Sequence, residues 1–265
     1  MDRETILPRT GGIEDVQSGS DARHLAIDAV GIRGLLHPII VSDNDCEQHT
    51  IATVSLAVEL PPERRGTHMS RFVALLTERR EALSVKALPA FLAAIAARLD
   101  AHAAEAEYSF PFFLEKRAPV SGVASLMDYE VRLAGRLAGG RASVTTEVTV
   151  PVTSLCPCSK QISLYGAHNQ RAHIRVRSED GADFSIAELI ALVEAEASAP
   201  LYGMLKREDE KYLTELAYEN PKFVEDAVRD VAIALKRDGR YGRFRVEAEN
   251  FESIHNHSAW ATIAG

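Results

Sequence analysis

Cysteine is scarce in this chain. Three cysteines occur among 265 residues, so they cannot all pair within one chain. Two of them, Cys156 and Cys158, are separated by a single residue, and Cys46 stands alone. This pattern argues against a disulfide scaffold, which needs several paired cysteines. The close pair instead indicates a metal site or a reactive thiol.

Long apolar runs are also missing. No stretch of about 18 residues is apolar throughout, so the sequence predicts no transmembrane helix. Residues 1–21 are polar and contain no segment typical of a signal peptide. We therefore expect a cytoplasmic protein with no membrane partner.

Basic side chains are fewer than acidic ones. The chain has 30 Lys and Arg against 38 Asp and Glu, which gives a formal net charge of −8 at pH 7. Sequence-independent nucleic-acid binding needs a basic face, so we expect no nucleic-acid partner. The hydrophobic content of 46% is ordinary for a globular protein with a large core. An anionic small-molecule substrate is compatible with this composition.

Alternating and helical patterns predict an α+β protein with antiparallel sheets and helices on one face. The order of strand pair, helix pair and strand pair occurs twice, without a residue-level repeat. Thr67 is the predicted N-cap of the first helix, and Ser185 with Glu188 forms a predicted capping box. The predicted strands are 30–41, 50–60, 108–114, 125–138, 142–152, 171–177, 243–249 and 258–263, and the predicted helices are 68–80, 89–106, 185–197, 209–218 and 224–236.

These patterns divide the chain into three parts. Residues 1–24 are rich in Gly, Ser and Asp and are predicted to form a flexible N-terminal arm. Residues 25–152 make the first unit. Residues 153–265 make the second unit, which carries most of the motifs described next.

The densest chemical pattern is SLCPCSK at residues 154–160, followed by GAHNQR at residues 166–171. Cys156, Cys158 and His168 in these segments are candidates for metal binding or nucleophilic chemistry. Pro157 and its polar neighbours predict a loop or turn rather than a strand interior. In a loop, alternate cysteines can present one thiolate to a metal and the other toward a substrate. The alternative is two small buried thiols and a core histidine.

Further polar clusters accompany this pattern. Residues 249–257, ENFESIHNH, concentrate Glu and His just before an apolar terminal strand. Residues 206–211, KREDEK, either start a solvated helix or supply a Glu to a metal. Residues 219–226, ENPKFVED, start a helix. There, Glu225 and Asp226 either complement the helix dipole or receive two parallel N–H donors.

Basic and imidazole side chains lie beside these motifs. His68 begins a predicted helix with Arg71 one turn further on, an arrangement that can bind phosphate. Other candidates for holding phosphates are Lys160, Arg171 and Lys206. The remaining isolated histidines have no suggestive neighbours and are interpreted as structural: His24, His37, His102 and His173.

Together these motifs resemble one family, the type IB GTP cyclohydrolases, which are the metal-promiscuous class of GTP cyclohydrolase I. The Cys-Pro-Cys-Ser-Lys and Gly-Ala-His-Asn-Gln-Arg pair is the most specific part of the resemblance. The matching segments run in order over nearly the whole chain, at 14–17, 30–32, 48–50, 66–72, 153–160, 166–171, 206–210, 219–226 and 249–257.

The resemblance implies a fold, an assembly and a reaction. The fold is the tunnelling fold, or T-fold, with two such units fused in one subunit. The assembly is a homotetramer with active sites at subunit interfaces. The reaction is metal-dependent hydrolysis of GTP to 7,8-dihydroneopterin triphosphate and formate, the first step of folate and pterin biosynthesis.

The resemblance also implies roles for individual residues. It implies a divalent metal (Zn, Mn or Fe) bound by Cys156, His168 and Glu210, with His255 near or on the metal. Cys158 resembles a second active-site thiol, and Glu225 resembles the carboxylate that anchors the purine. Glu252 and His257 resemble neighbours of the metal or proton-transfer groups.

Two other classes of function stay open from the sequence. One is a metal-independent T-fold enzyme that acts on another pterin or deazapurine with a cysteine nucleophile. It accounts for the cysteines but not for His168, Glu210 and His255. The other is a non-catalytic, zinc-stabilised domain, which needs four protein ligands and no open position.

Overall fold

One antiparallel sheet runs through the computed structural model, which describes residues 15, 17, 19–44, 46–181 and 184–265. Its strands are β1 (Ile27–Asp43), β2 (Cys46–Leu60), β3 (Ala104–Arg117), β4 (Ala124–Ala138), β5 (Arg141–Leu155), β6 (Asn169–Glu179), β7 (Ala199–Pro200), β8 (Arg243–Asn250) and β9 (Ala259–Ala264). Over these described ranges the strand order is β1-β2-β3-β4-β5-β6-β8-β9, with the short β7 paired to β5. β1 and β9 are therefore the two edges of the sheet.

Helices cover one face of this sheet. They are α1 (Met69–Glu78), α2 (Leu88–Leu99), α3 (Pro157–Ile162), α4 (Ile186–Ala195), α5 (Arg207–Glu219) and α6 (Val224–Asp238). Alternate strand side chains such as Val54, Leu133 and Val150 are buried in one continuous core with residues of α1, α2, α4 and α6. The predicted α+β class is confirmed. Within the described part of the chain, no helix is long and apolar enough to cross a membrane.

Two predicted helix boundaries are wrong. Thr67 does not cap α1, which begins at Met69 with His68 at the N-cap position and no side-chain hydrogen bond there. The second predicted helix extended to Ala106, but α2 ends at Leu99 because Asp100 adopts the left-handed conformation, with φ 51°. The Ala-rich segment beyond it enters β3 instead. The predicted capping box of Ser185 and Glu188 is confirmed at the start of α4.

The proposed division of the chain into units stays a prediction. Of the expected N-terminal arm, residues 1–14, 16 and 18 lie outside the described residues. The elements β1, β2, α1, α2, β3 and β4 follow one another as predicted. The predicted boundary between residues 152 and 153 falls inside β5, in a sheet that continues from one half of the chain into the other.

The β5–β6 ladder brings the main sequence motif together. Residues of the two strands pair from Thr145 and Glu179 to Leu155 and Asn169. Because one antiparallel strand ends beside the start of its neighbour, Cys156, which follows β5, and His168, which precedes β6, lie at the same end of the sheet. The backbone N–H of Cys156 donates to the carbonyl oxygen of His168 at 3.2 Å, which extends the pairing by one step.

A buried ion pair holds the segment that leads into α5. Lys116 Nζ lies 2.7 and 2.8 Å from the carboxylate oxygens of Glu194, and it donates to the carbonyl oxygen of Leu201 at 2.6 Å. The Tyr129 hydroxyl donates to the same carboxylate at 2.8 Å. Burial of Tyr129, together with the Glu194 charge, raises the pKa of its hydroxyl. This network ties β3, β4 and α4 to the chain just before α5.

Asp209 fixes the first turn of α5. Its fully buried carboxylate accepts hydrogen bonds from the N–H groups of Val120 and Ser121 at 2.8 and 2.9 Å, in the β3–β4 turn. It also accepts from the Ser121 hydroxyl at 2.6 Å and from the Lys206 N–H at 2.9 Å. Burial alone would raise the pKa of Asp209, but these hydrogen bonds outweigh it and lower the pKa. Asp209 thereby positions its neighbour, Glu210.

We predict that Asp209→Asn lowers the melting temperature by several degrees, because its amide nitrogen would face N–H donors. Since the folded-state pKa of Asp209 is lowered, its stabilising effect is present above the ordinary pKa and lost as the pH falls. The difference in melting temperature should therefore shrink below about pH 4. The matched control is Glu208→Gln on the exposed side of the same turn. Equal melting temperatures for both variants at pH 7 would contradict this role.

Candidate active site

Cys156 lies at the junction of β5 and a short helix. The sequence predicted a loop or turn here rather than a strand interior: β5 does end at Leu155, but the residues after Cys156 form a short helix, α3, with Pro157 at its start. Cys156 is the N-cap residue, and its Sγ accepts from the N–H of Ser159 at 3.5 Å. Cys158 lies within α3 and is exposed, whereas Cys156 is half-buried. Both thiols, and that of Cys46, are free.

His168 lies beside Cys156 at the end of the β5–β6 ladder and is held by buried polar side chains. Its Nδ1 lies 2.9 Å from Oε1 of Gln170. The Gln170 amide nitrogen donates to the Ser154 hydroxyl at 3.4 Å, and Asn250 donates to the same hydroxyl at 3.0 Å. The Gln170 oxygen can only accept, so this contact requires the tautomer with the proton on Nδ1 and leaves Nε2 as the nitrogen for a metal. This arrangement is typical of a metal-ligating histidine oriented by an outer hydrogen bond.

These supporting residues lie within the motifs found in the sequence, but the sequence did not predict that they hold His168. Ser154, Gln170 and Asn250 are all at least nine-tenths buried. Each occupies a strand position whose alternation predicts an inward side chain. A polar residue at such a position needs a partner, which is the signal that identifies the network.

Helix α5 packs against residues adjacent to this pair in the chain. Ala217 forms a small buried cluster with Leu155 and Ala199, and Leu213 packs against it. Glu210 is exposed in the first turn of α5, three residues before Leu213 and on a similar side of the helix. Helix packing therefore turns the Glu210 side of α5 toward the end of β5.

The segment after β8 also reaches His168. Ser253 Oγ lies 3.4 Å from Nδ1 of His168. Two residues further on, the rings of His255 and His257 stack with centroids 5.2 Å apart, and both side chains are exposed. Glu252 in the same segment is half-buried.

A complete metal set is not assembled within the described ranges. No group of three or more His, Cys, Asp and Glu side chains there could hold a metal ion. Cys156 and His168 are brought together, whereas Glu210 and His255 come from adjacent elements without joining them in such a group. The four-residue ligand set stays a prediction.

The two carboxylates at the start of α6 have different surroundings. Asp226 accepts from the N–H of Phe223 at 3.1 Å and lies 3.6 Å from Arg229. Glu225 is exposed and has no hydrogen-bond or ion-pair partner among the described residues. Asp226 therefore complements the helix start, which leaves the Glu225 carboxylate available to a ligand.

The candidate phosphate-binding residues lie in several elements. Lys160 donates to the carbonyl oxygen of Tyr218 at 2.5 Å and lies 4.2 Å from the centre of its ring. Arg71 donates to a backbone carbonyl of α2 at 3.5 Å, and His68 Nε2 lies 3.1 Å from Asp15. Arg171 and Lys206 are exposed. They are thus distributed over the start of α1, α3, β6 and the residue before α5.

His173 is a structural histidine, as interpreted from the sequence. Its ring packs edge-on against Phe251 with centroids 4.8 Å apart. Burial lowers the pKa of His173, while the carboxylates of Glu130 and Glu249 oppose that shift. The contact between His173 and Phe251 helps to hold the segment after β8 beside β6.

Comparison with solved structures identifies the fold. The chain is similar to the uricase from Arthrobacter globiformis, with a TM-score of 0.51, 8% identity, and coverage of 89% of this chain and 92% of the other. The uricase from Bacillus fastidious gives a TM-score of 0.51 with 9% identity. At such low identity the likeness shows the fold alone. It confirms the predicted tunnelling fold.

Comparison of sequences identifies the family. The family described as "Type I GTP cyclohydrolase folE2" matches residues 13–261. A protein named GTP cyclohydrolase FolE2 from Herminiimonas arsenicoxydans is 54% identical over 251 residues, which is 95% of this chain and 96% of that protein. Its namesake from Neisseria gonorrhoeae is 54% identical over 252 residues, with coverage of 95% and 98%. The chain therefore belongs to the type I GTP cyclohydrolase FolE2 family.

Proposed function

We propose that the protein opens the imidazole ring of GTP by hydrolysis, which forms 7,8-dihydroneopterin triphosphate and formate. Membership of the FolE2 family over nearly the whole chain supports this reaction. The observation that carries the proposal is the juxtaposition of Cys156 and His168, which are joined by a backbone hydrogen bond, with Gln170 hydrogen-bonded to Nδ1 of the imidazole. We assign the reaction to the start of folate and pterin biosynthesis, in a cytoplasmic enzyme.

We propose that this pair takes part in binding a divalent metal. Cys156 Sγ and His168 Nε2 offer sulfur and nitrogen, and we propose Glu210 and His255 to complete the set. One thiolate with nitrogen and oxygen donors selects zinc less strongly than a multi-cysteine site, so Zn, Mn and Fe all suit it. When bound, such a metal lowers the pKa of water enough to supply hydroxide near neutral pH.

A second copy of the chain is proposed to complete the site. The end of α3 and the residues after it expose Ile162, Leu164 and Tyr165 to 82%, 90% and 97%. The sheet also ends in two open edges, β1 and β9. Clustered exposed apolar side chains and unpaired strand edges are typical of subunit contacts. They support a homotetramer in which active sites form at the interfaces.

Glu225 is proposed to bind the guanine base. A carboxylate can accept from N1–H and from the exocyclic amine of guanine in two parallel, charge-assisted hydrogen bonds. Adenine lacks this pair of donors, so a site with that carboxylate rejects it. Cys158, Glu252 and His257 are proposed to transfer protons near the reacting carbon. The triphosphate is assigned to the basic residues of the motifs, His68, Arg71, Lys160, Arg171 and Lys206.

We predict that EDTA abolishes activity and that Mn²⁺ restores it at least as well as Zn²⁺. The physical reason is the mixed ligand set, which lacks the multiple thiolates that favour zinc. The measurement is release of formate and of fluorescent pterin from GTP. Full turnover in EDTA would refute the metal-dependent reaction and favour a cysteine nucleophile. Restoration by zinc alone would contradict the metal-promiscuous class.

We predict that Cys156→Ala and His168→Ala each abolish ring opening and lower the metal content, while the fold is kept. Each change removes a donor on the surface side of a strand end rather than a core side chain. The matched control is Cys46→Ala, which removes an exposed thiol at the β1–β2 turn and should leave activity intact. Full metal content and normal turnover in the Cys156→Ala variant would show that Cys156 is not part of the site.

We predict that Glu225→Gln lowers kcat/KM for GTP on the order of 10²-fold or more with little change in melting temperature. A charge-assisted hydrogen bond is worth roughly 1.5–3 kcal/mol, and the amide would set a donor against a guanine donor. The neighbouring Asp226→Asn is the control, since it should lower stability more than it lowers kcat/KM. Normal kinetics in Glu225→Gln with a reduced melting temperature would show that Glu225 only complements the helix dipole.

A further inference from the structure

Lys222 lies in the segment between α5 and α6, which the proposed reaction uses only through Glu225. The side chain of Lys222 is only 14% exposed, although it carries a charge. An ammonium group with so little access to water is costly unless acceptors surround it. The contacts of Lys222 therefore indicate what this segment holds in place.

The backbone of Lys222 holds the end of β5. Its N–H donates to the carbonyl oxygen of Leu155 at 3.1 Å. The N–H of Leu155 in turn donates to the Ser198 hydroxyl at 3.2 Å. Leu155 is the last residue of β5 and directly precedes Cys156. The peptide group between Leu155 and Cys156 is thus bonded to Lys222 on one side and to His168 on the other.

The side chain of Lys222 connects α6 to the end of α4. Its Nζ donates to the carbonyl oxygen of Glu196, the residue after α4, at 2.7 Å. Nζ also donates to Oδ2 of Asp230, in the second turn of α6, at 2.9 Å. The Glu196 carboxylate lies 3.8 Å from Nζ and adds a second negative charge. These contacts satisfy the ammonium group and hold α6 against the turn after α4.

Asn220 attaches the same segment at a second point. Its side-chain amide donates to the carbonyl oxygens of Ala197 and Ser198 at 2.8 and 3.4 Å. Asn220 and Lys222 are therefore both bonded to the turn after α4. Hydrogen bonds that share a network of this kind make a segment rigid when every member is satisfied.

We propose that Lys222 is the positioning residue that sets the distance between Cys156 and Glu225. This role rests on the proposed function, in which Cys156 binds the metal and Glu225 binds guanine. Glu225 lies in the first turn of α6, three residues after Lys222. The contacts of Lys222 therefore link the start of α6 to the peptide before Cys156 through few bonds.

The distance between these two groups matters because guanine is a rigid ring system. A carboxylate that is displaced along with α6 moves the whole base, including the carbon that reacts. A displacement of about 1 Å from the productive geometry can lower a rate on the order of 10²-fold. Lys222 thus affects the reaction through Glu225 and does not itself contact the substrate.

Lys222→Met tests this role, because methionine keeps much of the apolar stem and removes the ammonium group. We expect kcat for formate release from GTP to fall about tenfold or more while KM changes less than about threefold, because each group that binds GTP is still present. Metal content, and the affinity for GTP measured calorimetrically in EDTA, should also stay within about threefold of the wild type. Lys222→Arg keeps a charged donor and should recover kcat to within about threefold.

Asp230→Ala is the milder variant, for the case that Lys222→Met does not fold. It removes only the contact with α6, from a side chain that is 38% exposed. We expect kcat to fall at least about threefold with KM and metal content unchanged. Normal kcat in either variant, or a loss of kcat that merely follows a loss of bound metal, would overturn the proposal.

A double-mutant cycle shows whether Lys222 acts through Glu225. In the Glu225→Gln background, Lys222→Met should lower kcat/KM by less than about threefold further, because the carboxylate to be positioned is already gone. Losses that simply multiply would show that the two residues act independently and would overturn the proposal.

Lys211→Met is the matched control on α5. Lys211 is exposed and lies 3.6 Å from Glu215 one turn further on, so this variant should keep wild-type kcat and KM. A loss in Lys211→Met equal to that in Lys222→Met would contradict the positioning role. An inactive wild type in Mn²⁺ would overturn the proposed function and this role with it. An active wild type with an unaffected Lys222→Met would overturn the positioning role alone.

Discussion

The pairing of β5 with β6 is the constraint on which the candidate active site depends. The two strands remain in register to Leu155 and Asn169. Cys156, which follows β5, and His168, which precedes β6, therefore lie side by side. The hydrogen bond from the Cys156 N–H to the His168 carbonyl extends the pairing by one step beyond the two strands. A shift of register by one residue would turn alternate side chains to the opposite face and separate the thiol from the imidazole.

The elements around Cys156 and His168 are held by buried polar contacts as well as by apolar packing. Ser154 links Gln170 of β6 to Asn250 of β8, and Gln170 in turn orients His168. Asp209 holds the start of α5 against the β3–β4 turn. Such networks are rigid when every member is satisfied, which suits a site whose ligands come from separate elements. The apolar core determines the architecture, and these polar contacts orient the side chains of the candidate site.

Much of this architecture could be predicted from the sequence, since period-two alternation marks the strands and capping marks α4. The predicted second helix extends too far, into the Ala-rich stretch after α2. Helix propensity alone does not indicate that Asp100 adopts the left-handed conformation, which ends α2. The sequence does not predict helix α3, because its six residues are too few to show a helical periodicity. Cys156 and His168 could be singled out from their spacing. The placement of Glu210 and His255 could not, because it depends on how α5 and the segment after β8 pack, and on contacts beyond one chain.

The central claim is that Cys156 and His168 share one metal ion. X-ray absorption at the zinc edge of the zinc-loaded protein tests it most directly. The account predicts one sulfur neighbour at about 2.3 Å together with nitrogen and oxygen neighbours at about 2.0–2.2 Å. The sulfur neighbour should disappear in Cys156→Ser and persist in Cys158→Ser. A wild-type spectrum with nitrogen and oxygen neighbours only, or a sulfur neighbour that survives Cys156→Ser, would contradict the account.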